Sequence, residues 1–209
     1  MSDERPGVRG LGAAHDERRR HIIEAVFAIV DTAGTDQVTI RNVAAEAGVS
    51  VGRVQHYFPT KDALLSEAFA AINDRGTVRV DAQQDEDPAA MLTALVDALI
   101  PGNEEELRLF RIAQAFEVYA LQRPHLRDRL TRGYDDLAGL IALLLRRLAP
   151  QDPPDTFLPQ ARELLALATG LAGLIATGAI TPEQARQISS RRLADTLSGI
   201  PPHTPTIDH

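Results

Sequence analysis

An all-α fold is predicted by three features of the sequence. Apolar residues recur at i, i+3, i+4 and i+7 along most of the chain, as helices with one buried face require. No run alternates apolar and polar residues between turn signals, the pattern of a half-buried strand. Turn residues such as Pro101-Gly102, Pro124, the stretch from Pro150 to Pro154 and that from Gly178 to Pro182 punctuate the periodic segments. The expected architecture has about nine helices, a small N-terminal bundle feeding a larger helical domain.

The first 15 residues, MSDERPGVRGLGAAH, lack an apolar segment, so they are expected to be a flexible mixed-charge arm and not a signal peptide. The first helix is expected over 16–33, with Ile22, Val26, Ile29 and Val30 inside and Gly34 closing it. Short helices follow at 39–46 and 50–57. Pro59 and Thr60 then end one helix and cap the next, which runs to Val80 with Leu64, Leu65, Ala68, Phe69 and Ile72 inward. The acidic stretch DAQQDEDP, 81–88, is the expected domain junction. Beyond it, helices are expected at 89–99, 104–121, 124–148, 157–178 and 182–197. The expected partition is an arm (1–15), a helix-turn-helix domain (16–62), a connecting helix (63–82), a second domain (83–200) and a frayed tail (201–209), PPHTPTIDH.

Bulk properties exclude several function classes. With 209 residues, 44% hydrophobic and 24% charged, the chain is globular in composition. It has no Cys, which excludes disulfides and cysteine chemistry and fits a reducing, cytoplasmic location. The six His (15, 21, 56, 125, 203 and 209) show no metal-ligand spacing. The acids Glu104-Glu105-Glu106 and Asp135-Asp136 are consecutive, so neighbours diverge on a helix and read as solvated faces. No strand leads into a Gly-rich phosphate loop. Neither catalytic residues nor a cofactor or metal is therefore expected. Between Glu163 and Glu183 lie 19 uncharged residues, close to a membrane-spanning length. They contain three Thr, three Gly and a Pro and lack aromatic or Lys anchors, so a helix in a core or subunit interface is the better reading.

Net charge is −7, but Gln37 to Lys61 carries Arg41, Arg53 and Lys61 against Glu46 alone, a local +2 on a remainder of −9. That segment also holds the clearest motif. Thr39 can cap a helix whose stripe is Ile40, Val43, Ala44 and Ala47, and Gly48 suits the left-handed residue that closes it. Ser50 caps the next helix at once, with Val49 and Val54 placed as a hydrophobic staple. Two helices joined so briefly must cross steeply, as in a helix-turn-helix. With Val54 inward, Val51, Tyr57 and Phe58 fall within about 60° of it, and Gly52, Arg53, Gln55 and His56 take the flanks and outer face. Arg can fork onto guanine and Gln onto adenine. Lys61 and the amides behind Thr60 stand at a helix start suited to phosphate. The competing reading is a solvated face on an ordinary helix pair. His56 is open between a phosphate contact and simple solvation.

Residues 18–65 resemble the DNA-binding domain of the TetR (tetracycline-repressor-like) family of transcriptional regulators. The shared marks are the Gly34 turn, Thr39, VAAEAGVS at 43–50, Gly52, Tyr57-Phe58 and KDALL at 61–65. Gln55 stands where the family usually has Tyr, which leaves the role of that position open. The resemblance implies a three-helix DNA-binding domain, a connecting helix and a ligand-receiving, dimerising C-terminal domain. It implies DNA contacts from Thr39, Arg41, Ser50, Val51, Gly52, Arg53, Gln55, His56, Tyr57 and Lys61. The C-terminal half is similar to a broad subgroup that includes choline-responsive regulators, a likeness that supports architecture and no particular ligand.

A ligand pocket is expected from apolar residues with a few placed polar groups. Phe110, Gln114, Phe116, Glu117, Tyr119, Tyr134 and Thr169 are the candidates, although for Gln114 and Tyr134 a hydrogen-bonded core position is the favoured reading. Leu164, Leu167, Leu171, Leu174 and Ile175, with Ile188 and Leu193, are the candidates for a four-helix dimer interface, where Gly170 and Gly173 permit close approach. The expected function is a homodimeric repressor on a palindromic operator, released by a small effector that the sequence does not name. The alternative is a ligand- or protein-binding helical module without DNA binding.

Overall fold

The computed structural model describes residues 9–81, 87–150, 152–153 and 156–199, with side-chain environments from residue 15 to 72 and from 87 onward within those ranges. Among these residues there are nine α-helices and one short 3-10 helix, and no strand. The helices are α1 (Arg9–Ala33), α2 (Ile40–Glu46), α3 (Val51–Tyr57), α4 (Lys61–Asp81), α5 (Pro88–Ala98), α6 (Glu104–Leu121), α7 (Pro124–Leu148), α8 (Leu158–Ala176) and α9 (Pro182–Ser198). The 3-10 turn Thr35–Gln37, not expected from the sequence, fills the gap between α1 and α2. Helix α1 starts seven residues before the expected Asp16, so Arg9 to His15 of the supposed arm are helical. Most of the acidic junction, the residues before Arg9 and the expected tail lie outside the described residues.

The chain divides into two compact units, with the boundary inside α4 and with part of α6 assigned to each. The first comprises the chain up to Ile72 together with Ile112–Tyr119, and the second comprises Asn73–Arg111 and Ala120 onward. The sequence partition did not anticipate that a piece of α6 belongs with the N-terminal helices.

In the first unit, Ile22, Val26, Phe27 and Val30 of α1 are buried with Val43 of α2, Val54 of α3 and Leu64, Leu65 and Ala68 of α4. Each such side chain contributes about 1.5–3 kcal/mol by leaving water. The α6 piece joins through Ile112 and Phe116, which are also buried. The Phe116 ring lies 6.4 Å from that of Phe27 and 6.3 Å from that of Phe69. The Tyr119 hydroxyl donates to Asp62 at 2.7 Å.

In the second unit, α5, α7, α8 and α9 share one core built on Leu92, Leu95, Ile141, Leu145, Leu164 and Leu193, among others. Helix α8 explains the long uncharged stretch. Ala161, Leu164, Leu165, Ala168, Leu171 and Ile175 all turn into that core, and Ala172 is buried beside them in the helix. Among the described residues, no helix is long and apolar enough to cross a membrane.

Candidate nucleic-acid interface

The turn between α2 and α3 is fixed by a closed set of backbone bonds. Gly48 has φ +61, a left-handed conformation that a Cβ disfavours by about 1–2 kcal/mol. With that residue left-handed, the Gly48 amide reaches the Ala45 carbonyl (3.2 Å) and the Val49 amide reaches Ala44 (2.9 Å). This double closure satisfies carbonyls that the end of α2 would leave orphaned. Each helix also has a capped start, since the Thr39 hydroxyl accepts from the Asn42 amide (3.0 Å) and the Ser50 hydroxyl from the Arg53 amide (3.2 Å).

The outer face that results is polar and unspent. Arg41, Gly52, Arg53, Gln55 and His56 are all exposed. Among the described residues, neither Arg41 nor Arg53 has an ion-pair partner, and a Cβ at Gly52 would meet nothing within 4 Å. The backbone at Gly52 is therefore open to approach from outside. Val51 departs from expectation: it is 43% exposed, because it occupies the first turn of α3, ahead of the buried Val54. Tyr57 is half-buried and Phe58 fully so.

Lys61 also departs from expectation. Its ammonium donates to the carbonyls of Thr35 (2.8 Å) and Asp36 (3.4 Å) and lies 5.6 Å from the Tyr119 ring centroid. Helix ends leave carbonyls without amide partners, and a Lys ammonium is a strong donor for them. It thus serves the end of the 3-10 turn, a job invisible before that turn was known. Two residues that the sequence reading left unassigned brace the same unit. The His21 Nε2 is 2.9 Å from the Ala47 carbonyl, and the His15 ring lies tilted against that of Tyr57, 4.7 Å between centroids.

The expected pocket residues do not fall in one unit. Gln114, Phe116, Glu117 and Tyr119 belong to the first, and Phe110, Tyr134 and Thr169 to the second. Gln114 donates to Glu117 at 2.7 Å, and the Thr169 hydroxyl donates to its own helix at Leu165. Phe116 and Tyr119 are buried against the aromatic rings and carboxylate described above. A cavity of about 460 Å³ in the second unit is lined instead by residues including Pro101, Leu107, Ile175, Ile180 and Pro182, and by none of the seven.

The expected dimer residues also divide. Leu164, Leu171, Ile175 and Leu193 are buried in the protomer's own core, so they have no side-chain surface left for a partner. Leu167 is half-buried, and Leu174 and Ile188 are 45% and 43% exposed. Positions 170 and 174 turn away from the core face of α8, and Leu167 on the flank packs against the edge of the core, which is the physical reason for the split. Among the described residues, no group of His, Asp or Glu could hold a metal ion.

Comparison with known proteins decides the family. Residues 22–68 match the bacterial regulatory proteins of the tetR family, and residues 88–198 match the C-terminal domain of BetI-type transcriptional repressors. The chain belongs to the TetR family of transcriptional regulators. It is similar to the HTH-type transcriptional regulator PksA of Bacillus subtilis, at 32% identity over 76% of this chain and 78% of that one. It is likewise similar to HTH-type transcriptional regulator BetI 1 of Chromohalobacter salexigens, at 32% identity over 90% and 95% of the two chains. Among solved structures, a transcriptional regulator from Rhodococcus sp. Rha1 superposes with a TM-score of 0.77 at 27% identity, covering 87% of this chain and 96% of its own. The protein is a DNA-binding transcriptional regulator and not an enzyme.

Proposed function

We propose that the protein is a homodimeric repressor that occupies a palindromic operator and leaves it when a small molecule binds the C-terminal domain. The reading of DNA rests on the outer face of α3. Arg53 is exposed, unpaired among the described residues and held by a capped helix start, as a guanine-forking residue must be. Gln55 and His56 extend that face, and Val51 offers an apolar surface suited to a thymine methyl. Thr39, Arg41, Ser50 and Tyr57 are assigned to the phosphate backbone, which positions the reading helix.

Release requires a ligand with different affinities for two arrangements of the recognition helices. The observation that carries this part is the division of α6. One stretch of it is anchored among α1 and α4 by Phe116 and Tyr119, and the remainder belongs to the second unit. A ligand that displaces α6 therefore acts on a helix packed within the DNA-binding unit, and α4, which the unit boundary also divides, supplies a second route. The dimer is assigned to the exposed Gly170 and Leu174 of α8 with Ile188 on α9, flanked by the half-buried Leu167. Two copies would then present recognition helices about 34 Å apart or somewhat more.

The test is a thermal-shift screen of small metabolites, followed by operator titration with each compound that raises the melting point. At least one stabilising compound should weaken operator binding. Equal affinities with and without every bound compound would overturn ligand-relieved repression.

A further inference from the structure

Sequence reasoning stopped the DNA-binding surface at the helix-turn-helix and treated the residues before Asp16 as an arm. In the structure the first turns of α1 lie against that motif through three side chains. The His15 ring lies against that of Tyr57 at a 50° tilt, 4.7 Å between centroids, and His56 meets the same ring edge-on at 5.4 Å. The Arg19 guanidinium lies 5.8 Å from the Phe58 ring centroid and 2.7 Å from the Glu67 carboxylate. The His21 ring reaches the last carbonyls of α2 at Ala47. One side of α1 is thereby fixed against the ends of both short helices.

Arg18 is placed by those contacts. At ~100° per residue it lies about midway around α1 between His15, which faces α3, and His21, which faces the end of α2. It is exposed and has no ion-pair partner among the described residues, whereas the next residue, Arg19, is committed inward. The two nearby acids, Asp16 and Glu17, stand about 160° and 100° round from it. Asp16 lies 3.6 Å from the Nδ1 of His15, whose side chain is 53% exposed. Arg20 sits on the other flank of the helix, about 140° from His15.

We infer that Arg18 and His15 extend the DNA interface, gripping operator phosphates beside the recognition helix. Arg18 supplies the charge, and His15 adds a ring donor while setting the position of Tyr57. The contact is to the backbone, so it carries affinity and register but no base preference. This inference rests on the operator-binding reading above and adds phosphates that the matched family segment, which starts at residue 22, does not cover.

The experiment is a salt titration of operator affinity from ~50 to ~200 mM with the full-length wild type and Arg18→Ala, Arg18→Lys, His15→Ala and Arg20→Ala variants. Each lost phosphate contact flattens the slope of log affinity against log salt by about 0.9. Arg18→Ala removes one contact from each of the two protomers, so it is expected to flatten the slope by about 1.8 and to bind several-fold more weakly while selecting the same sequence. Arg18→Lys should keep the wild-type slope, His15→Ala should lose affinity, and Arg20→Ala should match the wild type. A wild-type slope in Arg18→Ala, or an equal loss in Arg20→Ala, overturns the inference alone. A wild type that selects no operator overturns it together with the operator-binding reading.

Discussion

Replacing Tyr119 by Phe tests how firmly α6 is held in the DNA-binding unit. The substitution removes only the hydroxyl that donates to the Asp62 carboxylate at 2.7 Å, and leaves the buried ring in place. Hydrogen bonds to a charged acceptor contribute about 1.5–3 kcal/mol. Asp62 is partly exposed, so water can replace part of the loss, and about 1.5 kcal/mol is the working figure. For a protein of this size each kcal/mol moves the melting midpoint by roughly 2–4 °C, so a fall of roughly 3–6 °C is expected by differential scanning calorimetry. The same variant should show a smaller effector-induced change in operator affinity, because a loosened α6 transmits less. A midpoint within ~1 °C of wild type, with an unchanged effector response, would refute the anchoring role given to this contact.

Other substitutions probe separate parts of the account. Gly48→Ala forces a Cβ into φ +61 and should cost roughly 1–2 kcal/mol in a denaturant titration, with weaker operator binding from the misplaced α3. Leu174→Glu combined with Ile188→Glu should yield a folded monomer by light scattering, whereas Leu171→Glu should fail to fold because that side chain is 3% exposed. Asp97→Asn tests a pH effect. Burial raises the Asp97 carboxyl above its ordinary value of 3.8, and Arg186 partly opposes the shift. A raised acid contributes stability below its unfolded value that is lost as pH rises through the folded one. The Asn variant should therefore gain midpoint relative to wild type at pH 7, with the gain vanishing below pH 3.8.

Much of the fold was legible because apolar periodicity and turn chemistry are local signals. Gly34 and Gly48 both adopt the positive φ that their positions at helix ends suggested. Thr39 and Ser50 cap the helices they were expected to start. What stayed hidden depends on tertiary partners. Lys61 reads as a free cation until the 3-10 turn supplies carbonyls for it, and His15 reads as part of an arm until α1 extends and brings its ring against Tyr57. Helix α8 is apolar on nearly every side, so periodicity did not tell its core face, with Leu164 and Leu171, from the flank at Leu167 and the outer position Leu174. The cavity beside Pro101 and Ile180 was missed because its lining comes from two separate turns of the chain.

The central claim is that the outer face of α3 reads a palindromic operator with Arg53 as a base-contacting residue. Selection of bound sequences from random duplexes by the purified protein, alongside Arg53→Ala, tests it most directly. The account predicts an enriched palindrome whose preference relaxes at one symmetric pair of positions in the variant, with affinity falling by about 1–3 kcal/mol for each of the two lost contacts. No enrichment at ~50–150 mM salt, or a variant that enriches the same palindrome equally well, would contradict it.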